Sequence, residues 1–275
     1  MLTFLSKFFL KKSIFLYAPL PLSACKLQKT YLLERAGISD GTAILMAIPY
    51  FTKDCLNKDR NVSCYAVSRD YHGFFQELYD ELIPQLQTAF PQNKFAGFAD
   101  HSPIAEVEAA ALAGLGVIGK NHLLITKPYA SYVFLGTLVT DAALPCEIHP
   151  IEHCADCGRC VSACPATSPS DCLSAITQKK GKLSDAEAET ILKHGSAWGC
   201  DICQLICPHT QKAIHDQTIF TTIPYFYEKT ISNLTLDILD GMSDAEFSER
   251  AYAWRGKDTI RRNLILFQSA ETKGE

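Results

Sequence analysis

The segment CADCGRCVSACP, residues 154–165, places four cysteines within eleven positions and closes on a proline. Gaps of two, two and three residues let one tight loop present several sulfurs together, a use of cysteine that no ordinary hydrophobic core requires. A shorter run follows in GCDICQLICPHT, with Cys200, Cys203, Cys207 and Pro208. Eight of the twelve cysteines lie between Cys154 and Cys207. Disulfide scaffolds spread their cysteines through short chains, so this crowding points to metal.

The longer run has the CxxCxxCxxxCP spacing of bacterial ferredoxins, in which three thiols hold one iron–sulfur cube and the fourth crosses to another. By that rule Cys154, Cys157, Cys160 and Cys207 complete one site, while Cys164, Cys200 and Cys203 give three ligands of a second. The missing fourth ligand is open between Cys172, the nearer candidate, and Cys146. Soft thiolates suit iron–sulfur clusters, and backbone amides in such loops offset the cluster's negative charge. Structural zinc expects separated CxxC pairs and leaves the xxxCP portions unexplained. Cys25, Cys55, Cys64 and, if it is not that ligand, Cys146 are expected to be small buried hydrophobes. Two cubes with crossed ligands form a relay for single electrons, and a relay needs a terminus.

The rest of the chain is long enough to supply one. Its 275 residues are 47% hydrophobic and 20% charged, an ordinary globular composition. The formal charge of −4 excludes a globally basic surface. An RNA partner would have to use local clusters such as Lys179, Lys180 and Lys182, or Arg255, Lys257, Arg261 and Arg262, which otherwise read as solvated faces. No run reaches the ~18 apolar residues of a membrane span. KKSIFLYAPLPLSAC, residues 11–25, has the look of a lipoprotein leader, but it is short, broken by Pro19 and Pro21, and continues into foldable sequence. A soluble cytoplasmic protein is expected, with a monomer as its state.

Strand-like and helix-like segments alternate over residues 1–145. GTAILMAIPYF (41–51), HLLITK and SYVFLGTLVTD read as strands, and HGFFQELYDELIPQLQTAF (72–90) as a helix. This is an α/β or α+β layer pattern. We expect three parts: an α/β domain over 1–145, a two-cluster domain over 146–215, and a C-terminal helical extension over 216–275. SDAEAETILKHG predicts a helix with Ser184 as N-cap and Gly195 past its end, and SDAEFSERAYAW predicts closing helices.

GLGVIGK (114–120) matches GxGxxG, but it follows a helix-like segment and precedes a strand-like one, the reverse of a dinucleotide site. Its glycines are read instead as permitting a turn or a close approach. In FADHSP, Ser102 as N-cap and Pro103 at the first helical position predict a helix start, which leaves Asp100 outside the capping. YAVSRDYH gathers Tyr65, Arg69, Asp70, Tyr71 and His72 ahead of the long helix.

Taken in order, YAVSRDYH, FADHSP, AGLGVIGKN, SYVFLGTLVTD, CADCGRCVSACP, CLSAIT, GCDICQLICPHT and RRNL resemble the epoxyqueuosine reductases, cobalamin-dependent iron–sulfur enzymes related to reductive dehalogenases. The resemblance implies a nitroreductase-like module that binds cobalamin, beside a ferredoxin-like module with two 4Fe-4S clusters. It implies reduction of the epoxide of epoxyqueuosine in tRNA to queuosine, with Asp100 as proton donor and electrons from a ferredoxin or flavodoxin. It carries Tyr65, His72, Lys120, Asn121 and Ser131 to the corrin or substrate pocket. As cluster ligands it implies Cys154, Cys157, Cys160, Cys164, Cys172, Cys200, Cys203 and Cys207. A proton donor in this role is expected to have a carboxyl raised by desolvation.

The chain also departs from the pattern. Val107 stands where many members have a basic residue, Cys64 and Val67 interrupt a segment that is usually arginine-bearing, and no helical-repeat domain follows RRNLILFQ. These departures bear on the grip on tRNA. Two alternatives follow: a related reductase acting on another epoxide or a halogenated substrate, and a non-enzymatic electron carrier. A carrier would not need the roughly 145 residues ahead of the cysteines.

Overall fold

The computed structural model describes residues 1–166, 168 and 171–271. The last four residues of the expected C-terminal part, 272–275, lie outside the described residues. By internal contacts the chain divides into two interleaved units: residues 1–49, 71–158 and 208–223, and residues 50–70, 159–207 and 224–275. The boundaries expected near 145 and 215 both fall inside the first unit, because the segments around them pack with the sheet domain rather than with the cysteine loops.

The first unit is built around the strand the sequence marks most plainly. All eight residues of β2 (Thr42–Pro49) are buried, as a run apolar on both faces requires. β1 (Tyr17–Pro21), β6 (Val133–Thr140) and β3 (Phe95–Phe98) complete a sheet of order β1-β2-β6-β3. Every pairing is antiparallel, with registers such as Ala18↔Leu45, Ile44↔Leu138 and Phe98↔Thr137, so the architecture is α+β. The leader-like residues are therefore part of the sheet. α1 (Leu2–Lys11) buries Leu5, Phe8 and Phe9, and α2 (Tyr31–Ala36) ends on Gly37 in the left-handed region.

Two helices cover the sheet. α4 (Tyr71–Ala89) lies so close that a Cβ at Gly136 would stand 2.0 Å from the Phe75 ring, and one at Gly97 2.3 Å from Tyr79. α5 (Glu106–Leu112) packs Ala109 with Leu45, Ile104 and Val139. Its start corrects the sequence expectation. Ser102 and Pro103 do not open the helix, because residues 103–105 pair with residues 26–28, through Gln28 N–H to Pro103 O at 2.8 Å and Ala105 N–H to Lys26 O at 2.9 Å. This tertiary pairing overrides the capping signal. The two-residue strands β4 (Val117–Ile118) and β5 (Leu124–Ile125) form a hairpin, and α10 (Pro208–His215) closes the unit. At Gly116 a Cβ would meet the Ile125 carbonyl at 2.4 Å, so the glycine permits close backbone approach within the hairpin.

The second unit is helical: α3 (Cys64–Val67), α6 (Arg159–Ser162), α7 (Leu173–Gln178), α8 (Asp185–His194), α9 (Ile202–Leu205), α11 (Pro224–Tyr227), α12 (Leu236–Gly241), α13 (Asp244–Ser248) and α14 (Lys257–Glu271). α8 begins and ends as its sequence predicts, with a Ser184–Glu187 capping box and Gly195 left-handed beyond its end. α7, α8 and α14 share a core of Leu173, Ile176 and Ile191 with Leu266 and Phe267. Asn263 fastens it, donating from a fully buried amide to the carbonyls of Thr177 (2.7 Å) and Ala197 (2.8 Å). Among the described residues no helix is long and apolar enough to cross a membrane.

Candidate functional site

In the first unit, β3 delivers the chain to Asp100, whose φ of +61° is left-handed, a conformation that favours glycine. The Asp100 side chain is 72% exposed, and its Oδ2 lies 3.9 Å from His72 Nε2. His72 opens α4 beside Tyr71, which stacks on Phe134 of β6 with ring centroids 4.3 Å apart. Sequence-predicted Asp100 and His72 are thus brought together on an accessible face. Ser131 is buried just ahead of β6.

Desolvation raises a carboxyl that the sequence did not single out. Burial pushes Glu106, the first residue of α5, up to about 7, with the nearby Asp100 charge adding to the effect. Its carboxylate accepts the Thr137 hydroxyl at 3.1 Å. From sequence alone Glu106 reads as an ordinary first-turn acid on a helix. Its six-residue distance from Asp100 was the available signal.

Lys120 lies beside the first thiol run. Its N–H donates to Cys154 Sγ at 3.3 Å and its Nζ pairs with Asp156 at 2.7 Å, while the Cys154 N–H is held by Ile118 O at 3.0 Å. Asn121 turns inward on its own loop, accepting the Leu123 N–H at 3.4 Å. An N–H aimed at a ligand sulfur is the device that offsets the charge of a thiolate-bound cluster. A cavity of about 500 Å³ opens next to this hairpin, walled by Leu115, Val117, Ile125 and Pro150 with His149 and His209 at its polar side.

In the second unit α6, which carries Cys160, packs on α9, which carries Cys203. Cys164 follows α6, and Cys172 stands at the N-cap of α7. Burial pushes the Cys200 thiol up to about 11, and the charges of Asp201, Cys203 and Cys172 are near enough to contribute. Cys146 lies instead in the first unit near Cys25, its thiol donating to Leu144 O at 3.1 Å. Among the described residues no three Cys, His, Asp or Glu side chains converge on the site of a single ion. Tyr65 sits within the second unit, its hydroxyl accepting Trp198 Nε1–H at 2.7 Å.

One clamp in this unit escapes sequence reading. Asp201, between Cys200 and Cys203, has a side chain only 2% exposed. Its Oδ2 accepts Arg60 Nη1 at 2.6 Å and the Cys64 N–H at 2.8 Å. Its main-chain carbonyl accepts the Gln204 and Leu205 N–H groups, at 2.9 and 2.7 Å, which starts the turn of α9.

Fold and thiols together define the class, an α+β protein carrying ferredoxin-type cysteine runs. No protein-family model matches the chain. An epoxyqueuosine reductase of Synechocystis sp. is 30% identical over 222 residues, 76% of this chain and 75% of that protein. One of Listeria monocytogenes is 32% identical over 206 residues, 72% of this chain and 54% of that protein. A crystal structure of epoxyqueuosine reductase with a tRNA-Tyr epoxyqueuosine-modified stem loop superposes with a TM-score of 0.74 at 23% identity, covering 98% of this chain and 81% of that one. The chain belongs to the epoxyqueuosine reductase family. It spans 54–64% of the length of three of the curated relatives it matches, the Listeria monocytogenes protein among them.

Proposed function

We propose that the protein is a cytoplasmic reductase that removes the epoxide oxygen of epoxyqueuosine in tRNA, using two 4Fe-4S clusters and cobalamin and drawing electrons from a ferredoxin or flavodoxin. The observation that carries it is the packing of α6, which holds Cys160, on α9, which holds Cys203, so that the two cysteine runs come together in one unit. Cys172 is the ligand that the crossover pattern lacked. The donor set suits the clusters, since thiolates are their ligands and the Lys120 N–H already points at Cys154 Sγ. The exposed face of Asp100, His72 and Tyr71 suits a planar cofactor with substrate laid over it.

Reduction of an epoxide to an alkene takes two electrons and two protons and releases water. The clusters and the corrinoid would supply the electron chemistry when bound. The chain's own part is to position the substrate, exclude water and deliver protons. Asp100 would protonate the departing oxygen, and His72, 3.9 Å from it, would orient Asp100 or return its proton. Lys120 holds the first thiol loop from two sides, by its N–H and by its ammonium.

Anaerobic reconstitution with iron, sulfide and cobalamin, followed by assay on tRNA carrying epoxyqueuosine, tests this reading. The expected result is a brown protein with about eight irons per chain that takes up the corrinoid and forms queuosine. About four irons, or no corrinoid uptake, overturns it.

A further inference from the structure

We propose that His101 is a positioning residue, the latch that ties the Asp100 loop to residues 26–31 and so keeps the Asp100 carboxyl presented. The inference rests on Asp100 being the proton donor. The loop needs a latch because it reverses within three residues: the His101 N–H reaches back to Ala99 O at 2.6 Å, and Asp100, at the centre of this γ-turn, has a φ of +61°. A γ-turn of this hand is rare and strained, and such a backbone persists where its surroundings over-determine it.

Both ends of the turn are anchored. Ahead of it, Phe98 closes β3 in register with Thr137 of β6, and its carbonyl accepts the Tyr79 hydroxyl at 2.9 Å. Behind it, residues 103–105 are paired with residues 26–28 by Gln28 N–H to Pro103 O and Ala105 N–H to Lys26 O, with Leu27 bridged to Ile104. Between these anchors the His101 ring is gripped at both nitrogens. Lys29 Nζ lies 3.0 Å from Nδ1, and the Tyr31 hydroxyl lies 2.7 Å from Nε2.

The chemistry of the partners fixes the ring. An ammonium can only donate, so Nδ1 accepts from Lys29, and the ring proton then sits on Nε2 and is donated to the Tyr31 oxygen. Tyr31 is the first residue of α2, and the Arg35 guanidinium one turn along lies 5.2 Å from the centre of its ring, which steadies the phenol. The hold is made in contact with water, since His101 is exposed and Tyr31 is 41% exposed. Water competes for each bond, so the loop can let go at small cost. With both nitrogens engaged, His101 acts on the reaction through the place it gives Asp100.

The test removes the partners and leaves the loop's own sequence intact. In the reconstituted full chain, Lys29→Met together with Tyr31→Phe is expected to raise amide hydrogen exchange at residues 100–102. The same pair is expected to lower the single-turnover rate at saturating RNA roughly five- to fiftyfold, because two hydrogen bonds no longer hold the presenting conformation. Iron content and corrinoid uptake are expected to stay at wild-type values. His101→Ala is expected to give the same loss, and all three substitutions together no more than either, since they break one linkage. His101→Gln, which keeps an N–H near the Nε2 position for Tyr31, is expected to run faster than His101→Ala. Should His101→Ala fail to fold, the surface pair Lys29→Met and Tyr31→Phe carries the measurement. Unchanged exchange or an unchanged rate in that pair overturns the latch, as does a further loss when His101→Ala is added to it, or a Gln variant no faster than the Ala variant. Asp100→Asn separates the two ideas: full turnover in that variant removes Asp100 as donor, while exchange at residues 100–102 still reports on the latch.

Discussion

The Asp100 corner of the first unit and the Cys200–Cys207 turn of the second solve opposite problems. Asp100 is 72% exposed and strained in φ, and the residue after it, His101, is held by Lys29 and Tyr31. The cysteine turn is fixed by a buried ion pair whose acid, Asp201, is 2% exposed and whose main-chain carbonyl also starts the next helix. Under the proposed function, a proton donor must reach a substrate and be reloaded, which suits an exposed loop, whereas ligands of a redox cluster must hold still between oxidation states, which suits a locked one. On that proposal the two corners differ in what a substitution removes: chemistry in the first, structure in the second.

The largest expected effect tests the first half of that contrast. Asp100→Asn should lower the single-turnover rate by roughly two to four powers of ten. Iron content, corrinoid uptake and unfolding midpoint should stay at wild-type values. A loss of iron alongside activity would show that the Asp100 loop is structural too, and the contrast would collapse.

Arg60→Ala tests the other half. It leaves the Asp201 carboxylate buried without its cation, which costs about 3–5 kcal/mol. Urea unfolding should show that loss, and reconstitution should stop near four irons per chain rather than about eight, because the Cys200–Cys203 turn is no longer held. A variant of unchanged stability and full iron content would demote the clamp to a spectator.

These same corners mark where the sequence was legible. The cysteine runs could be read because their spacing is itself the chemistry, and β2 and α8 because burial and capping leave local patterns. The start of α5 misled because Pro103–Ala105 pair with residues about 75 positions earlier, a partner no local signal reveals. Arg60 and Asp201 are 141 residues apart and Thr137 is 31 from Glu106, so both clamps exist only once the chain has folded. RRNL is a similar case. The sequence offered its arginines as a site for RNA, but Arg261 pairs with Asp240, and Arg262 donates to the carbonyls of Lys179 (2.7 Å) and Gly181 (2.6 Å).

A smaller effect separates the corners by pH. Glu106 is raised from its ordinary value of 4.5 to about 7, so the folded state favours its protonated form. The stability it contributes is complete below about pH 4.5 and is lost as pH rises through 7, at a cost on the order of 1–3 kcal/mol. Thermal or urea unfolding from pH 5 to 8 should show wild-type protein losing that much more stability than Glu106→Gln. Parallel curves would mean the corner is wetter than its hydrogen bonds imply.

The smallest expected effect concerns RNA. Of the two basic clusters, the arginines of α14 are engaged in holding the chain, and Lys179 is paired with Glu187 at 2.7 Å. Lys180 and Lys182 remain exposed on the α7–α8 loop, which Arg262 holds in place through two carbonyls. With a formal charge of −4 the chain has little general attraction for phosphate, so its affinity for a tRNA stem loop should depend only shallowly on salt. Replacing Lys180 and Lys182 by Ala should reduce the slope of log affinity against log salt by about 1–2, each lysine accounting for roughly 0.7–0.9. Turnover on saturating RNA should be unaffected, since neither lysine belongs to the Asp100 corner. An unchanged slope would place the RNA contacts elsewhere and leave the α7–α8 loop as a solvated face.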